Sequence, residues 1–160
     1  MNIVDIASVD KWDKRYIAMA EFIAGWSKGP RSKVGAVVVR PDKTVASLGF
    51  NGPPKGFDDA AFVLMAREEQ HKIVVHAERN AIEQCGHAED HSKNTMYVWP
   101  MSPCAECAEF ICQAGIKRVV VFFGFMSQQW FESAKKGFEV FERNGVELLL
   151  VKKGFIHESR

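Results

Sequence analysis

The sequence is short of net charge, of cysteine and of long apolar runs, and each shortage removes a class of protein. Twenty-one Lys and Arg residues stand against twenty Asp and Glu, leaving a formal net charge of +1. Proteins that live on nucleic acid carry a basic footprint. None is present overall, which disfavours a DNA or RNA partner. The longest apolar run, "VVVFFGFM" from Val119 to Met126, is far shorter than the roughly 20 residues that cross a bilayer. The first residues, "MNIVDIASVDKWDKR", lack a basic start followed by an apolar stretch. No signal peptide is therefore expected, and the expected location is the cytoplasm. Only four cysteines occur. In a reducing compartment they stay thiols, so metal binding or chemistry is a better reading than disulfides. No internal repeat or low-complexity segment appears. With 160 residues, 47% apolar and 26% charged, the chain suits one domain over residues 1–160 with a core that needs no staples.

Periodicity supplies the elements. Trp12, Tyr16, Met19, Ala20, Ile23 and Trp26 recur at three- and four-residue steps, which predicts an amphipathic helix from about Asp10 to Ser27. "VGAVVVR" and "TVASLGFN" flank Pro41-Asp42-Lys43 and read as a hairpin. "GPPKGFDD" is a loop, and "AFVLMAREEQHK" a polar helical piece. A helix carrying Ala77, Ala81, Ile82 and Cys85 on one side follows. The strands "TMYVW", "RVVVFF" and "VELLLV" then alternate with helices at about Ala105–Ala114 and Gln128–Asn144. Trp130, Ala134, Phe138 and Phe141 mark the buried face of the last helix. Gly115 and Gly145 sit where helix C-caps belong. This order predicts a five-stranded mixed sheet covered by helices on both faces.

Two short stretches carry the chemistry. "VVHAERNAIEQC" places His76 two residues before Glu78 at a helix start. The zinc signature H-E-x-x-H requires a second histidine one turn on, but Asn80 stands there, so any metal must find other ligands. "MSPCAECAEF" offers Cys104 and Cys107. Two cysteines in C-x-x-C spacing at a helix start converge on one ion, and the helix amino terminus favours their thiolates. One imidazole and two thiolates leave a zinc ion one open position, the layout of a catalytic site. Taken alone, the cysteine pair also fits a thioredoxin-like redox motif. A lone histidine at a loop–helix junction is more often structural than ligating. The combination H-A-E … P-C-A-E-C is far more specific than either half. It matches the pattern of zinc nucleobase deaminases, in which the glutamate moves protons and does not ligate.

The stretches "SKGPRSKVGAVVV", "SLGFNGPPKGFDD", "VVHAERNAI" and "SPCAECAEFICQAGIKRVVVF" together resemble the cytidine and deoxycytidylate deaminase superfamily, most nearly its dCMP deaminases. The resemblance covers about Trp12 to Val151. It implies a three-layer α/β/α cytidine-deaminase-like fold and one catalytic Zn2+. It further implies that Asn51 bonds the sugar and that the backbone around Ala77 and the 102–104 segment, Ser102 included, reads the pyrimidine edge. The 5′-phosphate would lie near the loop before the first strand, where Arg31 and Lys33 are candidates. Phe125 is a candidate base-packing aromatic, with a core role as the alternative. The likeness also implies a homo-oligomer, a hexamer in several relatives, with dCTP and dTTP as effectors acting through "GFNGPPKG".

Some features depart from the pattern. "YVWPMSPC" is one residue longer than the usual spacing. Cys85 and Cys112 lie on apolar helix faces and read as core. His87 and His91 read as exposed, and His71 and His157 have no partner that singles them out, so no second metal site is expected. Deamination of another cytosine or guanine compound or of a modified dCMP, an RNA-acting deaminase, or a binding module on this fold remain as alternatives.

Overall fold

The computed structural model describes residues 1–86, 88–124 and 128–153. Among the described residues six strands form one sheet: β1 (Asn2–Asp5), β2 (Gly35–Val39), β3 (Val45–Phe50), β4 (Thr95–Trp99), β5 (Arg118–Phe122) and β6 (Glu147–Lys152). Their spatial order is β1-β6-β5-β4-β2-β3. β2 runs antiparallel to both its neighbours, while β4, β5, β6 and β1 are mutually parallel. The expected count of five is corrected to six. The added strand, "NIVD", is a four-residue edge strand that pairs from Asn2 opposite Leu149 to Asp5 opposite Lys152. It is too short to show a period of its own, so its existence depends on the neighbour it pairs with.

The helices are α1 (Lys11–Ala24), α2 (Asp59–Leu64), α3 (Arg67–Ile73), α4 (Ala77–Cys85), α5 (Ala105–Ala114) and α6 (Gln128–Arg143). Asp10 caps α1 by accepting from the N–H groups of Trp12 and Asp13 at 2.7 and 2.9 Å, the preferred work of an acidic N-cap. The predicted single helix over "AFVLMAREEQHK" is two helices. Asp58 caps α2, and the extended backbone at Met65 and Ala66 separates α2 from α3.

The sheet is buried on both faces, as its valine-rich central strands require. One core packs Ala36, Val38, Met96, Val98, Val119, Val121 and Leu150 under α4, α5 and α6. The other packs Val37, Val39, Tyr97 and Val120 under α1. Two glycines let helices lie close on the sheet. A Cβ at Gly35 would run into the backbone of Ala20 and Ala24 on α1, and one at Gly49 into that of Ala77 and Ala81 on α4. A buried ion pair also ties α1 to the sheet. Asp13 accepts from Arg118 Nη1 and Nη2 at 3.0 and 2.9 Å and from the Tyr97 hydroxyl at 2.7 Å. Burial works to raise the Asp13 pKa, but the Arg118 and Tyr97 hydrogen bonds prevail and hold it below the usual carboxylate value.

Candidate active site

Backbone contacts at the end of β3 set the start of α4. Gly52 and Val75 exchange two hydrogen bonds, of 3.1 and 2.8 Å, in an isolated antiparallel bridge. That bridge delivers His76 in extended conformation as the N-cap of α4. Asn80, one turn later, donates from Nδ2 to the Phe50 carbonyl at 2.8 Å. Ala77 and Ala81 are fully buried, their small side chains allowing α4 to sit against Gly49. On the neighbouring helix Cys104 is the N-cap of α5, and its sulfur accepts weakly from the Cys107 N–H at 3.5 Å. The amino ends of α4 and α5 thus meet, with unpaired N–H groups and positive dipole ends favouring thiolate there.

His76, Cys104 and Cys107 bring their donor atoms within 4.8 Å of one another. His76 Nδ1 lies 3.2 Å from Cys107 Sγ and 3.7 Å from Cys104 Sγ. Zn–N bonds of about 2.0–2.1 Å and Zn–S bonds of about 2.3 Å put tetrahedral neighbours roughly 3.5–3.8 Å apart. Both the donor chemistry and the separations therefore fit a zinc ion. The three groups differ in protonation without an ion: Cys104 is poised as a thiolate, while His76 and Cys107 must each lose a proton to ligate. The hydrogen bond from Cys107, with His76 beside it, pulls the Cys104 thiol down to about 4. The bond to Cys104 raises His76 despite its burial. Cys107, bonded to Cys104 and desolvated, is pushed far up.

Glu78 is 4% exposed. Its burial raises its carboxyl pKa, against the pull of its own backbone N–H and of His76. It shares with His76 and Cys104 the wall of a cavity of about 410 Å3, a size that suits a small organic ligand. Ala77, Ser102, Asn51 and Arg31 line the same cavity. The Ser102 hydroxyl is buried with no hydrogen-bond partner among the described residues. Asn51 braces the loop before β2: its Oδ1 accepts from Val34 N at 2.8 Å and its Nδ2 donates to the Ser32 carbonyl at 2.9 Å. Lys33 is exposed and does not line the cavity. Phe125, His87 and His157 lie outside the described residues.

Two expectations are corrected here. Trp130 is not helix core: it is 39% exposed and lines the cavity together with Ser133. His91 is buried, not exposed, and packs against Asn94 with 3.2 Å between His91 Nδ1 and Asn94 Nδ2. Arg67, Gln70 and His71, which no motif in the sequence singles out, also line the cavity from α3. Their spacing at i, i+3 and i+4 marks one helix face, the one signal available for them.

A three-layer α/β/α fold with a His/Cys/Cys group beside a buried glutamate defines a zinc-deaminase architecture. Residues 10–123 match the cytidine and deoxycytidylate deaminase zinc-binding region, and the chain belongs to that family. It is 35% identical over 151 residues to a protein of Aliivibrio fischeri described as an uncharacterized deaminase, covering 88% of this chain and 93% of that one. It is 36% identical over 128 residues to the deoxycytidylate deaminase of Homo sapiens, covering 77% of this chain and 68% of that one. Among solved structures, dCMP deaminase from the cyanophage S-TIM5, in complex with dCMP and dUMP, is similar with a TM-score of 0.71. That match has 27% identity and covers 89% of this chain and 98% of the other.

Proposed function

We propose that this chain, acting as one domain, catalyses the hydrolytic deamination of dCMP to dUMP with release of ammonia, supplying dUMP for thymidylate synthesis. The carrying observation is the pairing of a zinc-fitting His76/Cys104/Cys107 group with the buried Glu78 in a cavity that also receives Arg31. The similarity to proteins named deoxycytidylate deaminase supports the choice of substrate.

His76, Cys104 and Cys107 would hold the zinc ion, which would make hydroxide available as a nucleophile at neutral pH. Glu78 is the proton carrier. Its raised pKa brings it toward the range where a carboxyl both takes and gives a proton efficiently. It takes the proton that the attacking water gives up. It passes that proton to the ring nitrogen beside the carbon bearing the amino group, then assists the departing ammonia. One water is consumed, and the amino group is replaced by a carbonyl oxygen. The Ala77 N–H, in the first turn of α4, and the buried Ser102 hydroxyl hold the pyrimidine edge. Asn51 retains a second amide hydrogen and a second lone pair for the sugar. Arg31, which lines the cavity, takes the phosphate.

Assembly into a homo-oligomer, with dCTP and dTTP as effectors, belongs to the same reading. Phe57, Val63 and Leu64, which is 85% exposed, offer apolar surface beside the "GFNGPPKG" loop. A hyperbolic saturation curve indifferent to both triphosphates would remove the effector part. A cytoplasmic location suits a site that needs two cysteines as thiolates. Among the described residues no helix is long and apolar enough to cross a membrane. The direct test compares the zinc-loaded protein with its Glu78→Ala variant. The expected variant keeps zinc and stops releasing ammonia from dCMP; a variant that still turns over dCMP would overturn the role of Glu78.

A further inference from the structure

Arg31 is an exposed residue on a loop, yet its guanidinium has a fixed partner. Nη1 donates to Gln70 Oε1 at 2.8 Å. Gln70 is 5% exposed, and its own orientation is not free. Nε2 donates to the Phe62 carbonyl at 2.8 Å, near the end of α2. The amide oxygen must therefore face away from α2, where Arg31 meets it. Both residues line the same cavity as His76 and Glu78. Arg67 and His71, on the same face of α3, line it too and place further basic groups along that wall.

An arginine side chain carries a large share of rotamer entropy. A loop arginine without an anchor spends much of its binding strength on being ordered. One held in place by a buried amide has met that cost before the ligand arrives. Four guanidinium N–H donors remain after the bond to Gln70, enough for a bidentate grip on a phosphate monoester.

We propose that Gln70 is a positioning residue: it fixes the Arg31 guanidinium in the cavity wall and so sets how strongly the site prefers a 5′-phosphorylated nucleoside over the nucleoside. This inference rests on the nucleotide reading above. Gln70 acts through Arg31 and does not touch the reacting atoms.

The test is a double-mutant cycle read by calorimetry on the zinc-loaded protein. The ligands are dUMP and deoxyuridine, which differ only in the phosphate. The proteins are the unaltered chain, Gln70→Leu, Arg31→Leu and the double variant. The unaltered chain should bind dUMP much more tightly than deoxyuridine. Gln70→Leu should shrink that ratio by about tenfold, the scale of a lost charge-assisted bond. In the Arg31→Leu background, Gln70→Leu should shrink it no further. A Gln70→Leu protein with the full ratio, or losses that add in the double variant, would overturn the proposal. Should Gln70→Leu fail to fold, Gln70→Met, closer in length and shape, carries the same expectations. An unaltered chain that binds both ligands equally would instead count against the nucleotide reading, which separates the two failures.

Discussion

Replacing Gly49 by Ala tests whether the seat of α4 on the sheet sets the chemistry. A Cβ at Gly49 would stand 2.5 Å from both the Ala77 oxygen and the Ala81 nitrogen, and 3.0 Å from the Asn80 carbonyl carbon. Non-bonded heavy atoms settle at roughly 3.5–4.0 Å. All three obstacles are backbone, so no side chain can turn aside. The first turn of α4 must retreat by about 1 Å. Overpacking of this kind costs about 1–3 kcal/mol, or a fall in Tm of roughly 2–12 °C for a chain of this size. The retreat also carries His76 and Glu78 away from Cys104 and Cys107, which ride on α5. A displacement of about 1 Å costs on the order of a hundredfold in rate. The assay is kcat/KM for dCMP at a temperature well below the variant's Tm, with zinc content measured on the same sample. Gly35→Ala is the control, since its Cβ strikes α1 on the opposite face. It should lose stability and keep both zinc and turnover in the folded fraction. Unchanged Tm and kcat/KM in Gly49→Ala would refute the reasoning.

Three further outcomes are expected. Arg118→Met strands the Asp13 carboxylate beside Tyr97, and breaking such a buried pair costs about 3–5 kcal/mol, read as a lower urea midpoint at pH 7. In the unaltered chain the Asp13 pKa is below its unfolded value. Its contribution is thus complete above the unfolded pKa and lost as pH falls through the folded one, which lies below the ordinary aspartate value of 3.8. In Arg118→Met burial acts unopposed by Arg118 and raises that pKa, so the deficit should shrink as pH falls from 7 to 5; a pH-independent deficit counts against the pairing. Zinc binding should release protons, because His76 and Cys107 are both raised without metal and must give up protons to ligate. Calorimetry in buffers of different ionisation enthalpy measures this, and the apparent affinity should fall as pH falls. Cys104→Ser should lose the metal, whereas Glu78→Gln should keep it and lose about 100- to 10,000-fold in kcat; metal analysis and ammonia release distinguish the two.

The helices and strands with strong periods were legible in the chain, and so was the grouping of His76, Cys104 and Cys107. His76, Glu78, Cys104 and Cys107 sit in short motifs whose spacing is itself the chemistry. What escaped depends on tertiary neighbours. "NIVD" becomes a strand only because β6 offers it an edge. Trp130 has helical spacing with Ala134 and Phe141, which reads as core, yet it opens on the cavity because α6 begins there. Lys33 and Arg31 look equivalent in a basic loop; the loop braced by Asn51 turns one into the cavity and the other out. Gln70 resembles any polar helix residue until Phe62 and Arg31 are placed on either side of it.

The most direct measurement is a side-by-side turnover assay of the zinc-loaded protein, read by ammonia release. The panel holds dCMP, CMP, deoxycytidine, dCTP, 5-methyl-dCMP, cytosine and guanine. The expected result is turnover of dCMP with kcat/KM well above that of deoxycytidine. Efficient turnover of the free base or the nucleoside, with dCMP no better, would contradict the assignment of substrate and of Arg31.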